Sequence, residues 1–175
     1  MNLIGQTYFH DLTYVPALTG TYGGTGAAAQ TERIAKLARH IAQYEVEFLT
    51  FVLGEDISTE FQAWIDSEDT TAKWVALKGK LLNTVRLTSP IANYIFCPYW
   101  KSTCLPVSMV GTTKGEPAES YRVRNVEVWN DMVRQNDKLF DWLSENRSTY
   151  EHDDFTLGLY KDWVMLTTTD NEFGL

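Results

Sequence analysis

Cysteine is scarce in this sequence. Only Cys97 and Cys104 occur among 175 residues, separated by a short stretch containing Pro98 and Trp100. Two cysteines do not make a disulfide framework. A metal site would need further ligands at close spacing, and His10, His40 and His152 each stand alone in sequence. Both cysteines read as reduced, buried thiols. Positive charge is also sparse. There are 15 Lys and Arg against 23 Asp and Glu, a formal net charge of −8. No run of basic residues offers the phosphate-neutralising cluster that non-specific nucleic-acid binding requires, so the acidic balance reads as solubility. No stretch approaches about 18 consecutive apolar residues, so no membrane span is expected. The opening Met1-Asn2-Leu3-Ile4-Gly5-Gln6 has neither a basic start nor an apolar run, and a signal peptide is not expected.

Catalytic motifs are equally thin. Tyr22-Gly23-Gly24-Thr25-Gly26 is rich in glycine but lacks the spacing and the Lys of a phosphate-binding loop. It reads as part of a flexible arm. No G-x-S-x-G elbow is present. Glu45 and Glu47 are two apart, which turns them away from each other on a helix. They read as solvated charge, as do Asp153 and Asp154. The cluster from Asp66 to Asp69 lacks the spacing and glycine of a calcium loop. His40 reads as a surface or boundary histidine, with a general base as the sharper alternative.

What the sequence does have is material for a core. Hydrophobic residues make up 44% and aromatics 13%, which predicts one folded, mainly α domain, a helical bundle of about five helices with a small β-hairpin or extended loop and flexible terminal arms. The boundaries read as 1–29 for a flexible N-terminal arm, 30–166 for the helical domain and 167–175 for a C-terminal tail.

The stripe Ile34, Leu37, Ala38, Ile41, Phe48, Leu49 and Val52 predicts a long first helix from Gln30, with Thr31 as its cap and Leu53-Gly54 as its stop. A short second helix, capped by Ser58, carries Phe61, Trp64 and Ile65. A third starts near Thr70 or Thr71 with Trp74, Leu77, Leu81 and Val85 on one face. Ser89-Pro90 opens a fourth, which Pro98 is expected to end or kink.

Residues 91–100 (IANYIFCPYW) are apolar almost throughout and need cover, from the core or from another chain. Thr103 to Val110 reads as extended, Gly111 to Pro117 as a turn or long loop, and Tyr121-Arg122-Val123-Arg124 as alternating like a strand, together a small hairpin or protruding loop. A fifth helix is expected over Asn125 to Leu143, with Val126, Trp129, Met132, Val133, Leu139, Phe140 and Leu143 inward and Asn136 a buried amide. Residues 146–154 read as a polar break, and Phe155 to Leu166 as a last apolar segment.

This order of features resembles the head-to-tail connector (adaptor) proteins of tailed bacteriophages. The features are a long N-terminal amphipathic helix ending at Leu53-Gly54, a helical region leading into IANYIFCPYW, a Val107-Ser108-Met109-Val110-Gly111 turn, and Ser120 before a closing helix. The likeness covers about residues 30–145. Such proteins form rings beneath the portal. The resemblance implies a structural virion protein with no enzymatic activity and no cofactor. It would be assembled in the bacterial cytoplasm as a dodecameric ring between the portal and the tail or stopper proteins, with genomic DNA passing through an acidic lumen. The residues expected to meet partners are Tyr94, Phe96, Tyr99 and Trp100 of the aromatic segment, Val107 and Met109 of the turn, and Asn171, Glu172, Phe173 and Leu175 of the tail. The competing readings are a small helical binding or regulatory protein and a small enzyme without a recognisable motif.

Overall fold

The stripe that begins at Ile34 does fold as one long helix, α1 (Thr25–Leu53), which buries Leu37, Ile41, Phe48, Leu49 and Leu53. A computed structural model describes residues 2–16, 18, 24–67, 69–104, 107–108, 111–112, 118–152 and 157. The helix starts at Thr25 rather than Gln30, because Ala27-Ala28-Ala29 are strong helix formers that continue the pattern backwards. Thr31 is therefore inside the helix and not its cap; its hydroxyl donates to the Ala27 carbonyl at 2.9 Å. Gly54 stops α1 as expected, at φ 82°, with its amide donating to the Thr50 carbonyl at 2.9 Å.

That same glycine opens α2 (Glu55–Asp66), whose first turn carries Glu55 and Asp56 beside the positive helix end. Ser58 is not a cap. It lies within α2, 1% exposed, donating to the Glu55 carbonyl at 2.9 Å and facing the Thr50 hydroxyl of α1 at 3.3 Å. After Thr71, α3 (Ala72–Leu81) buries Trp74, Leu77 and Leu81. Val85 does not continue that stripe. The helix ends at Leu81, and Val85 sits on the turn that follows, 92% exposed. Two backbone hydrogen bonds between Asn83 and Thr88, at 2.9 and 3.2 Å, close this turn.

The aromatic segment forms α4 (Pro90–Cys104), opened by the Ser89 hydroxyl accepting the Ile91 amide at 3.1 Å. The helix does not end at Pro98 but runs through it to Cys104. One lost helical N–H costs less than the packing that grips the helix through Ile95, Phe96, Tyr99 and Trp100. The Lys36 ammonium fastens the far end, donating to the Ser102 carbonyl at 2.9 Å and the Thr103 hydroxyl at 3.0 Å. Two short strands follow, β1 (Val107–Ser108) and β2 (Gly111–Thr112), paired antiparallel with Val107 opposite Thr112.

The expected strand at Tyr121–Arg124 is instead helical, within α5 (Ala118–Glu145). A four-residue alternation is too short to separate the two periods, and the strong stripe downstream decides it. Val128, Met132, Val133, Asn136, Leu139 and Leu143 are buried along α5, while Val126, Trp129 and Phe140 are half-buried. The stretch read as a polar break contains a short helix, α6 (Arg147–Tyr150). Tyr150 is 1% exposed there, and its hydroxyl donates to the Lys73 carbonyl at 2.8 Å.

In the assembled bundle α4 packs against both α1 and α5, and α2 packs on α1. The largest correction concerns the N-terminus. Residues 1–29 were expected to form a free arm, yet residues 2–16 lie on the bundle in two 3-10 turns, Gln6–Tyr8 and Asp11–Thr13, and bury Ile4, Tyr8, Phe9 and Val15. Residues 167–175 and most of 153–166 fall outside the described residues; Leu157 among the latter is buried.

Candidate assembly surface

The aromatic residues expected to meet partners are consumed by the core. Tyr94, Phe96, Tyr99 and Trp100 are 4%, 0%, 0% and 4% exposed. The Tyr94 ring packs on Phe48 and Trp129, and its hydroxyl hydrogen-bonds the Glu47 carboxylate. Burial, reinforced by that carboxylate, raises the Tyr94 pKa. Tyr99 meets the edge of His40, with ring centroids 5.3 Å apart. These four side chains hold α1, α4 and α5 together and are closed to any partner in this fold. Val107 is placed only by its strand pairing. Met109, Asn171, Glu172, Phe173 and Leu175 lie outside the described residues.

Two polar side chains, Glu45 and Arg124, fix the N-terminal segment. Glu45, expected to be solvated, is 4% exposed and accepts the Leu3 amide at 2.8 Å and the Ile4 amide at 3.2 Å. Burial raises its pKa, and the two amides oppose that shift in part. Arg124 donates to three carbonyls, Leu12 at 2.9 Å, Tyr14 at 2.7 Å and Asp11 at 3.3 Å. Its guanidinium lies 5.1 Å from the Phe96 ring centroid and 5.2 Å from that of Trp100. The planar fork reaches several acceptors at once while its face rests on the rings.

At this point Thr13 turns inward, 5% exposed, and the side chains on either side of it turn outward. Leu12 and Tyr14 are 44% and 48% exposed, and Val123, next in chain to the arginine, is 46% exposed. The α4–α5 connection, which carries β1 and β2, leaves from the Trp100 end of α4 and enters α5 just ahead of Arg124. The exposed side chains of Leu12, Tyr14 and Val123 therefore lie around the Arg124 anchor, which also meets Trp100 near the start of the α4–α5 connection. Nothing in the sequence separates Leu12 and Tyr14 from the neighbouring buried Phe9 and Val15; a 3-10 turn decides which face each takes.

Catalytic arrangements among the described residues are weak. The Ser102 hydroxyl lies 3.3 Å from His40 Nε2, and His40 Nδ1 is 2.9 Å from the Lys36 carbonyl. The hydroxyl has a single proton, and the Tyr99 carbonyl at 2.8 Å is the nearer acceptor. A carbonyl rather than a carboxylate orients the ring, so the pair lacks the third member of a triad. Cys97 is free, and burial pushes its thiol up to about 12, the opposite of an activated nucleophile. Among the described residues no group of three or more His, Cys, Asp or Glu is placed to hold a metal ion.

Comparison with protein-family models, with curated proteins and with solved structures finds no match to this chain. The fold defines a class, a mainly helical bundle with a clamped N-terminal segment.

Proposed function

We propose that this chain is a structural assembly protein of the head-to-tail connector kind, which joins copies of itself into a ring between a portal and the tail components. The observation that carries the reading is the end of the bundle where Leu12, Tyr14 and Val123 are exposed together beside the root of the hairpin. Isolated exposed apolar residues need no explanation, but a group of large ones held rigidly at one end marks a contact surface. The ring interface in this reading is built from that end and not from the aromatic segment, which is spent internally. The acidic balance of −8 per chain suits a lumen along which DNA slides without adhering.

The test is negative-stain imaging of the purified chain mixed with the portal protein encoded near it. Rings on the portal support the proposal. A chain that stays monomeric in the presence of the portal rejects it and favours a small binding protein.

A further inference from the structure

Although the sequence contains no run of basic residues, the fold gathers cations from three separate places. Lys80 at the end of α3, Arg86 on the turn and Lys138 on α5 line one open groove of about 540 Å³, together with Asn83, Thr88, Asp131 and Gln135. The groove continues past Gly79 and Asn83 into a second hollow of about 420 Å³ lined by Lys78. These volumes are of the size that holds a small ligand.

Ordinary structural roles account for part of this arrangement. Lys78 and Lys80 sit in the last turn of α3, where cations offset the negative helix end. Lys80 Nζ also stands 5.4 Å from the Trp142 ring centroid. They do not account for the rest. Among the described residues no carboxylate forms an ion pair with Lys80, Arg86 or Lys138. The one acidic side chain in the wall, Asp131, is already engaged: it accepts from Asn93 at 2.8 Å, Gln135 at 2.7 Å and Arg134 at 3.1 Å. In a chain of net charge −8, three cations face one hollow whose lining holds a single carboxylate, Asp131.

The turn that presents Arg86 is also firmly built. The Asn83 side-chain oxygen accepts the amides of Val85 at 3.2 Å and Arg86 at 2.8 Å. Leu87 is held at φ 52°, a left-handed conformation uncommon for leucine, and His10 Nε2 lies 3.0 Å from its carbonyl. Arg86 is thus fixed at its backbone while its side chain remains exposed to the hollow.

We propose that this groove is a binding site for a phosphate-bearing ligand, with Arg86 supplying a bidentate contact and Lys80 and Lys138 closing on the remaining oxygens. Asn83 and Thr88 lie within the same wall as neutral hydrogen-bonding groups. The phosphate has two possible sources, a free polyphosphate or nucleotide and the backbone of a nucleic acid. The inference is independent of ring assembly, since the groove and the exposed Leu12, Tyr14 and Val123 share no residue.

The experiment is titration of the full chain with inorganic tripolyphosphate and, separately, with a DNA 20-mer, followed by amide NMR shifts and calorimetry at low and high salt. The expected result is binding of at least one probe with shifts confined to Gly79, Arg86, Gln135, Lys138 and their neighbours. Binding should weaken by tenfold or more in the triple variant Lys80→Gln, Arg86→Gln, Lys138→Gln. All three side chains are exposed, so the variant should fold, which its circular dichroism checks; Lys101→Gln serves as a control outside the groove. Tighter binding of the oligonucleotide, with affinity falling steeply as salt rises, assigns the nucleic-acid source. Binding of tripolyphosphate alone assigns the free ligand. The proposal is overturned if neither probe binds at millimolar concentration, if the triple variant binds as well as the parent, or if an oligoglutamate of equal charge binds as tightly as tripolyphosphate.

Discussion

The Glu45 carboxyl accepts the backbone amide of Leu3 at 2.8 Å from within the folded body, so a side chain on α1 does for the N-terminal segment what a cap does for a helix. Burial is the dominant influence on this group and raises its pKa in the folded state. A carboxyl with a raised folded pKa holds its proton more tightly when folded than when unfolded. Its contribution to stability is therefore complete below the unfolded value and is lost as pH rises through the folded one. We expect the urea midpoint of the parent, relative to Glu45→Gln, to fall as pH increases from about 4 towards 7. A difference between the two that stays constant over this range would show that the carboxyl has the same pKa folded and unfolded, and would remove the effect of burial.

Arg124 joins the N-terminal segment to two core rings. Arg124→Ala should cost about 2 to 3 kcal/mol, because three carbonyls lose a charged donor and Phe96 and Trp100 lose their cover. Chymotrypsin should then cut at Phe9 or Tyr14 much faster than in the parent. Arg124→Lys should restore little of this protection, since an ammonium cannot spread over three acceptors and two rings. Unchanged proteolysis in the alanine variant would remove the arginine from its role as an anchor.

Exposed and buried apolar residues should part company under mutation. Leu12→Asp with Val123→Asp should leave the melting temperature within a few degrees of the parent, as surface changes usually do, and abolish ring formation on the portal. Phe96→Ala should cost about 3 to 5 kcal/mol by emptying a fully buried site. Rings that form normally from the double aspartate variant would place the interface elsewhere.

The Cys97 thiol, pushed up to about 12 by burial, should be inert. Iodoacetamide at pH 8 should label Cys97 slowly in the native protein and fully in urea, as peptide mapping by mass spectrometry would resolve from Cys104. Rapid native labelling would mean that α4 opens around it.

The helices themselves were legible, because Ile34 to Val52 and Met132 to Leu143 carry long stripes that only one period fits. Their ends were less so. Thr31 and Ser58 have the chemistry of caps, yet neighbouring helix formers and a glycine joint moved the true ends past them. Tertiary packing overrode two further local signals, the proline at 98 and the alternation at Tyr121–Arg124.

The interaction surfaces were the least legible part. Aromatic richness from Tyr94 to Trp100 looked like an interface because sequence does not say whether a core exists to receive it. The cation groove joins Lys80, Arg86 and Lys138 from distant parts of the chain. The buried state of Glu45 depends on the backbone of residues far earlier in sequence. A reading confined to local windows misses all three.

Arg124 and Glu45 hold Leu3, Ile4, Leu12 and Tyr14 by main-chain oxygens and amides. At Leu12 and Tyr14 those contacts do not depend on which side chain the backbone carries. Leu12 and Tyr14 can be rewritten for a different neighbour while the loop stays docked in the same place, so specificity can drift at this end of the molecule without renegotiating the fold beneath it.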